Sequence, residues 1–159
     1  GHSFAAPGTY RVRVKLRDKD EGAATAVEAQ VVVKIDEADI DVKPRDSNNR
    51  IHLKGHWDKL IPVAILGDER IDAAAVDIST VKLGNVSVRQ FRKGTSNLTY
   101  LATLFDVDGD GDRDLIVMFD RKEMLRVGDL TPETKGLTLT GMTVGGRKMV
   151  GTDAVHVVR

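Results

Sequence analysis

The chain has 159 residues, of which 24 are Lys or Arg and 24 are Asp or Glu, and it contains no Cys. This length suits one domain or slightly more, and 41% hydrophobic residues suffice for a packed core. A net charge of zero gives no overall reason to expect nucleic acid or an anionic membrane as partner, and no apolar run approaches the roughly 20 residues of a membrane span. The absence of Cys excludes disulfides, thiolate catalysis and zinc sites built on Cys.

The acidic residues are unevenly distributed. The chain has 18 Asp against 6 Glu, and five of the Asp fall within residues 106–114. Asp favours turns over helices because its short side chain hydrogen-bonds to nearby backbone amides. No stretch of a dozen residues shows the 3.6-residue periodicity of an amphipathic helix. The composition therefore predicts an all-β chain with Asp-rich turns.

The first predicted elements form a long hairpin. Residues 9–17 alternate strictly between apolar and polar, mostly basic, side chains, which predicts a half-buried strand. A second strand is predicted over residues 24–35, after a polar turn at residues 18–22. The chain opens Gly1-His2-Ser3-Phe4, with no Met and no signal sequence, which suggests a fragment or a processed product.

The hairpin carries two charged groups that could have a function. The basic row on one strand face could meet an acidic partner, although a solvent-facing side of an amphipathic strand is the commoner explanation; it consists of Arg11, Arg13, Lys15 and Arg17. The turn could hold a second, weaker ion, although an ordinary polar turn also explains its acidic residues, Asp18, Asp20 and Glu21.

The remainder of the chain predicts many short strands. Residues 36–39 are predicted to be a linker, and the best place for a short helix is residues 68–78, around three consecutive Ala. Short apolar stretches recur at intervals of roughly ten residues, as in a sandwich or barrel. The predicted strands cover residues 40–43, 51–53, 60–66, 81–83, 86–88, 98–105, 115–119, 137–140, 148–150 and 154–158.

One motif points to a specific ligand. Residues 106–114 fit the pattern D-x-D-x-D-G-x-x-D, in which side chains at positions 1, 3 and 5 of a tight loop converge on one centre. Gly111 at position 6 permits the sharp bend, position 7 supplies a carbonyl, and position 9 binds directly or through water. The pattern predicts a Ca²⁺ site formed by Asp106, Asp108, Asp110, Asp112 and Asp114.

This loop differs from an EF-hand, because position 12 is Val117 within an apolar strand instead of a Glu. It resembles the strand-flanked loops of integrin-type FG-GAP repeats. Residues 104–120 carry six Asp and one Arg, a net charge of −5, and the carboxylates repel one another unless a cation is present. A solvated acidic turn is the alternative, and Mg²⁺ fits less well because it prefers strict octahedral geometry.

Two weaker groups lie elsewhere. Trp57 with Phe91 and Tyr100 could form a platform on which sugar rings stack, although packing in or beside the core is more usual for a single Trp. His52 and His56 are four residues apart, and on a helix both side chains could reach one metal ion. The strand-like context disfavours a zinc site there.

Catalytic motifs are absent from the sequence. It has no nucleophile elbow, no H-E-x-x-H pair and no phosphate-binding loop. The only closely paired carboxylates lie inside the predicted calcium loop, where a metal would occupy them. The sequence therefore predicts a protein that is not an enzyme.

Two stretches resemble known families. Residues 4–12 read F-x-x-P-G-x-Y-x-V and precede an Asp-rich turn that ends in Gly22, and this pattern resembles the C-terminal part of a PKD domain, an Ig-like fold. The resemblance covers residues 2–35 and implies an incomplete PKD-like strand pair at residues 1–35.

Residues 39–159 resemble a β module common in secreted bacterial proteins. Its marks here are Ile40-Asp41-Val42-Lys43-Pro44, Ile61 to Leu66, Asp106 to Leu115 and Leu139-Thr140-Gly141. Arg45 departs from the Gly that often follows the Pro in that module. The resemblance implies a secreted or cell-surface bacterial setting and a metal site, and it implies no agreed activity.

The sequence therefore predicts a PKD-like strand pair over residues 1–35, a linker over residues 36–39 and a calcium-binding, Ig-like β-sandwich over residues 40–159. The predicted function is that of a non-catalytic, calcium-stabilised extracellular module with a structural or adhesive role. Its partners would be neighbouring domains and other copies of itself, joined by strand addition at exposed edges. The alternative is an accessory domain of a secreted hydrolase that binds polysaccharide.

Overall fold

The computed structural model describes residues 8–17, 24–95 and 97–159, and these residues are mostly β-strand. The chain divides into two compact units, Gly1–Ile35 and Asp36–Arg159. The predicted all-β fold is confirmed, with a single short α-helix among the described residues.

The first unit contains the predicted pair of long strands. β1 (Gly8–Arg17) and β2 (Ala24–Val33) pair antiparallel, with Gly8 opposite Val33 and Arg17 opposite Ala24. The turn with Asp18, Asp20 and Glu21 lies outside the described residues, so the second-ion prediction stays untested. The side chains of the basic row, Arg11, Arg13, Lys15 and Arg17, also lie outside what the structure describes.

The strands that follow form two larger sheets and two small ones. One sheet has the order β11-β12-β6-β4 and the other the order β3-β14-β13-β7-β8, while β9 with β10 and β5 with β15 form two-stranded sheets. The strands are β3 (Ile35–Glu37), β4 (Ile40–Val42), β5 (Arg50–His52), β6 (Leu60–Ile65), β7 (Val76–Leu83), β8 (Val86–Ser87), β9 (Gln90–Lys93), β10 (Asn97–Tyr100), β11 (Ala102–Phe105), β12 (Asp114–Asp120), β13 (Gly136–Thr143), β14 (Lys148–Ala154) and β15 (His156–Val158).

One hydrophobic core joins the two larger sheets, which makes this unit a β-sandwich. Val117 and Phe119 of β12 and Val63 of β6 are fully buried, as are Leu83 of β7 and Leu139 of β13, and all belong to a single cluster. The alternation of buried and exposed residues along β13 shows the period of two that a strand with one buried face requires. The core therefore holds β12, which carries the acidic loop at its start, in a rigid position.

Two short helices lie between the strands. The predicted helix is a 3₁₀ turn at Ala73–Ala75, and the side chain of Asp72 caps it by accepting from the backbone N–H of Ala74. An unpredicted helix, α1 (Arg121–Val127), follows β12; Asp120 caps its start and Gly128 ends it at a φ of 83°. Seven residues are too few for a clear helical periodicity, so only these caps could have indicated α1.

The structure departs from the sequence-based boundaries in two places. Residues 36–39 are not a free linker: β3 extends to Glu37, and the buried Ala38 donates its N–H to the carbonyl of Val150 at 2.8 Å. The predicted strand over residues 98–105 is divided at Leu101, so that β10 pairs with β9 while β11 pairs with β12. Neither boundary follows from local periodicity, since both depend on strands distant in sequence.

Candidate metal centre

The acidic loop connects two paired strands. β11 and β12 run antiparallel with Phe105 opposite Asp114, so the ladder brings the two ends of the loop together. Asp106 and Asp114 therefore lie close in space although they are positions 1 and 9 of the motif. The rigid strand β12 positions Asp114, and the loop backbone must position the other carboxylates.

Hydrogen bonds from the loop backbone to Asp106 shape the first half of the loop. Its Oδ1 accepts from the N–H of Gly109 at 2.7 Å, and its Oδ2 accepts from the N–H of Gly111 at 3.1 Å. Both glycines have positive φ, at 80° and 98°, a conformation that other residues adopt rarely. The glycines thus permit the turns that curl the loop around the Asp106 carboxylate.

Further Asp side chains stabilise the rest of the loop by the same local contact. Asp108 Oδ1 accepts from the N–H of Asp110 at 3.1 Å, and Asp110 Oδ1 accepts from the N–H of Asp112 at 2.8 Å. These are the side-chain-to-backbone turns that Asp favours. Each of these two carboxylates uses one oxygen for the turn.

Asp114 anchors the loop to the core. It is fully buried, and among the described residues it is the one charged or polar residue in the buried class. Its Oδ1 accepts from the N–H of Gly67 at 2.9 Å and its Oδ2 from the N–H of Val107 at 2.7 Å. A buried carboxylate is tolerated only when it is hydrogen-bonded or neutralised, and these two bonds supply part of that compensation.

Gly67 is a residue of this site that the sequence analysis missed. It follows β6, and a Cβ placed on it would lie 2.3 Å from the carbonyl oxygen of Arg113. Only Gly allows the backbone after β6 to approach the end of the loop so closely. The sequence placed Gly67 at the end of an apolar strand, which was the single available signal.

Three carboxylates come together at one point. Asp106, Asp108 and Asp114 each offer an oxygen atom, and these three atoms lie within 4.8 Å of one another. Such a group could hold a metal ion, and in the part of the chain that the structure describes it is the one cluster of this kind. Asp110 and Asp112 belong to the same loop, are exposed, and lie outside the three-residue cluster.

The electrostatics of the loop are consistent with mutual repulsion. A hydrogen bond from the backbone of Asp110 lowers the pKa of Asp108, but desolvation and the negative charges of Asp110 and Asp114 outweigh it, so that the pKa of Asp108 is raised. The raised pKa means that desolvation and the neighbouring charges together disfavour ionisation of Asp108. A bound cation would remove that penalty.

His52 and His56, at which the sequence disfavours zinc, make different contacts in the structure. His52 Nδ1 lies 2.8 Å from Asp58 Oδ2, and Lys43 Nζ lies 2.6 Å from Asp58 Oδ1, while His56 is exposed. The backbone N–H of His52 also donates to Asp58 Oδ2 at 2.8 Å. Asp58 therefore accepts from both Lys43 and His52 and connects two loop segments.

The contacts of Asp58 imply that the free energy of unfolding depends on pH. Although desolvation raises its pKa, hydrogen bonds from Lys43 and His52 outweigh it and hold the pKa below the ordinary value of 3.8. A carboxyl with a lowered folded-state pKa stabilises the fold above its ordinary value, and this contribution is lost as the pH falls through the folded-state pKa.

We therefore expect Asp58→Asn to lower the free energy of unfolding by about 2 kcal/mol near neutral pH. The difference between variant and wild type should stay constant down to about pH 5 and shrink below pH 3.8. Urea unfolding at a series of pH values measures it. A difference that grows on acidification would contradict the assignment of Asp58 as a stabilising carboxylate.

Trp57 is displayed on a loop whose backbone is held in place. The Arg121 guanidinium donates to the carbonyls of His52, Gly55 and Trp57 at 2.7, 3.1 and 2.6 Å. Trp57 itself is 76% exposed, whereas core or rim packing was the favoured expectation for it. Phe91 lies on β9 and the half-buried Tyr100 on β10. The sugar-binding role of Trp57 remains a prediction.

No family model, curated protein or solved structure matches the chain, so the comparisons assign it neither a family nor an activity. Across the described ranges, none of the helices is both long and apolar enough to cross a membrane.

Proposed function

We propose that this chain is a non-catalytic, calcium-stabilised extracellular module with a structural or adhesive role in a secreted or cell-surface bacterial protein. The observation that carries the proposal is the cluster of three carboxylate oxygens from Asp106, Asp108 and Asp114 within 4.8 Å. It lies in a loop whose turns are already formed by hydrogen bonds to Asp106 and Asp110.

Calcium suits this loop better than other common cations. Ca²⁺ takes six to eight oxygen ligands in flexible geometry, and oxygen is the only donor type that the cluster offers. Asp106, Asp108 and Asp114 would supply carboxylate oxygens, Asp110 a further carboxylate at position 5, and Asp112 its backbone carbonyl at position 7. The absence of Cys from the chain and of His from residues 104–120 disfavours zinc, which prefers nitrogen and sulfur ligands.

The bound ion would cross-link the end of β11 and the start of β12. It would also neutralise part of the charge of five Asp within nine residues. Binding only to the folded state stabilises by mass action, by about 2.7 kcal/mol at a hundredfold excess of ligand over Kd. Extracellular modules bind Ca²⁺ with a Kd of about 10⁻⁴–10⁻³ M, which matches the calcium supply outside cells.

The extracellular setting is supported by the resemblance of residues 2–35 to a PKD domain and of residues 39–159 to a module of secreted bacterial proteins. The absence of Cys by itself indicates neither side of the membrane. In a chain without disulfides, a calcium site would supply a cross-link of another kind. The partners in this proposal are neighbouring domains and other copies of the chain.

Isothermal titration calorimetry, in which Ca²⁺ is titrated into the protein, tests the proposal directly. We expect one Ca²⁺ per chain with a Kd of about 10⁻⁴–10⁻³ M or tighter, and weaker binding of Mg²⁺. Asp108→Asn should weaken binding by about tenfold or more, because it removes a charged ligand but keeps the oxygen that accepts from Asp110. Absence of a binding signal at millimolar Ca²⁺ would overturn the calcium role.

A further inference from the structure

Strand β11 forms an open edge of its sheet. It pairs with β12 on one side and has no partner among the described strands on the other, and three of its four residues are exposed: Thr103, Leu104 and Phe105. Because ladder bonds alternate in an antiparallel pair, every second β11 residue directs its N–H and C=O away from β12. Such an edge is a template for another strand unless the protein blocks it.

The core-facing side chains of β11 are only partly covered by the rest of the sandwich. Leu104 lies opposite Leu115, and Ala102 lies opposite Val117, so both share the face that points into the sandwich. Leu115 and Val117 are buried, whereas Leu104 is 38% exposed. Among the described strands of this sheet, none lies beyond β11 to cover this core-facing Leu.

An apolar groove runs beside this exposed Leu. It has a volume of about 230 Å³, and its lining comes from β11, β12, the 3₁₀ turn and the start of β7. The residues that matter are Ala102 and Leu104 on one side and Ala73, Val76 and Ile78 on the other. A strand added to β11 would place every second side chain into this groove.

The other edges of the two larger sheets are short or blocked, within the part of the chain that is described. At β4, the N–H of Val42 donates to Asp153 Oδ2 at 2.8 Å, and β14 approaches so closely that a Cβ on Gly151 would lie 2.5 Å from the Ala38 carbonyl oxygen. β8 has two residues and β3 has three. β11, with four residues, is the longest of these edge strands and contains neither Lys nor Pro.

We propose that β11 pairs antiparallel with β11 of a second copy, so that the two four-stranded sheets join about a two-fold axis. Charge selects this occupant. Residues 106–114, which follow β11, carry five Asp and one Arg, whereas residues 90–100, which precede it, carry one Arg and one Lys and no acidic residue. Arg89 is not counted because it pairs with Asp120 of its own chain at 2.7 Å. Antiparallel pairing places the acidic loop of each copy beside the basic hairpin of the other.

The hairpin offers the contacts that such a dimer needs. Arg92 and Lys93 on β9 are exposed, and so are the apolar side chains of Phe91 at 41% and Leu98 at 61%. The attraction does not depend on the proposed calcium role, because the loop keeps a net negative charge when one Ca²⁺ is bound. Failure of calcium binding and failure of dimerisation are therefore separate results.

Analytical ultracentrifugation over a wide range of protein concentrations tests the dimer. The wild-type chain of 17.4 kDa should show a mass that doubles as concentration rises. Leu104→Lys should abolish the dimer, because each copy would place a cation in the other's groove. Thr138→Lys, at an exposed position of β13 in the other sheet, is the matched control and should dimerise as wild type does.

A second variant tests the dimer without changing Leu104, so that a folding defect of Leu104→Lys does not decide the result. The exposed pair Arg92→Glu with Lys93→Glu should raise the dimer dissociation constant by roughly tenfold or more, with an unchanged melting temperature of the monomer. High salt should weaken the wild-type dimer in the same direction. A chain that stays monomeric at every concentration, or a dimer that survives Leu104→Lys, would overturn the proposal.

Discussion

Calcium at a hundredfold excess over its Kd is expected to raise the melting temperature of the chain by roughly 5–10 °C relative to the same protein in EGTA. The shift follows from about 2.7 kcal/mol of binding free energy that is available only to the folded state. The physical basis is the acidic cluster, where one ion would bind the converging oxygens of Asp106, Asp108 and Asp114 and offset the repulsion between these carboxylates. Thermal unfolding followed by circular dichroism measures the shift.

Two variants make this result specific. Asp108→Asn keeps an oxygen that can accept from the N–H of Asp110, so the loop turn survives while the negative charge is lost. Most of the calcium-dependent shift should disappear in this variant. Asp39→Asn, at a carboxylate that is 65% exposed, removes the same charge elsewhere and should keep the full shift. Identical melting temperatures of the wild type with calcium and with EGTA would refute stabilisation by calcium.

Asp114→Ala is expected to lower the free energy of unfolding by about 3–5 kcal/mol even in EGTA. The substitution deletes a fully buried carboxylate that accepts from the N–H groups of Gly67 and Val107. Each donor would be left unsatisfied at a cost of about 1–3 kcal/mol, and the deleted side chain would leave a cavity in addition. This loss concerns the fold itself and is independent of the bound ion.

The comparison with Asp112→Ala separates the two roles of the loop. Asp112 is exposed, and its position-7 contribution to a metal is a backbone carbonyl, so its side chain can be removed with little effect in EGTA. Urea unfolding of both variants in EGTA measures the difference. Equal stability of Asp114→Ala and Asp112→Ala would show that Asp114 does not anchor the loop.

Local patterns predicted the features whose causes are local. The alternation along residues 9–17 predicted β1, and the Asp-rich composition of residues 106–114 predicted a tight loop, which the hydrogen bonds to Asp106 form. Three consecutive Ala predicted the short helix that the structure shows as a 3₁₀ turn at Ala73–Ala75. These features depend on backbone sterics and short-range hydrogen bonds.

The division at Leu101 and the course of residues 36–39 could not be predicted in this way. Leu101 donates to the carbonyl of Arg89 and accepts from Met118, so its place between β10 and β11 depends on partners 12 and 17 residues away. Ala38 donates its N–H to the carbonyl of Val150, and Asp114 accepts from the N–H of Gly67. Sequence spacing contains no information on which distant backbone groups will meet.

The sequence by itself determined that this chain is all-β and that its charge, although balanced at 24 against 24, is concentrated in one acidic loop. Those properties follow from residue type and spacing. Only the tertiary structure decided that three of the five carboxylates meet, that Asp114 is buried against the end of β6, and that β11 remains an open edge. The physical reason is that burial and strand pairing are set by the packing of the two sheets, which brings together groups that are far apart along the chain.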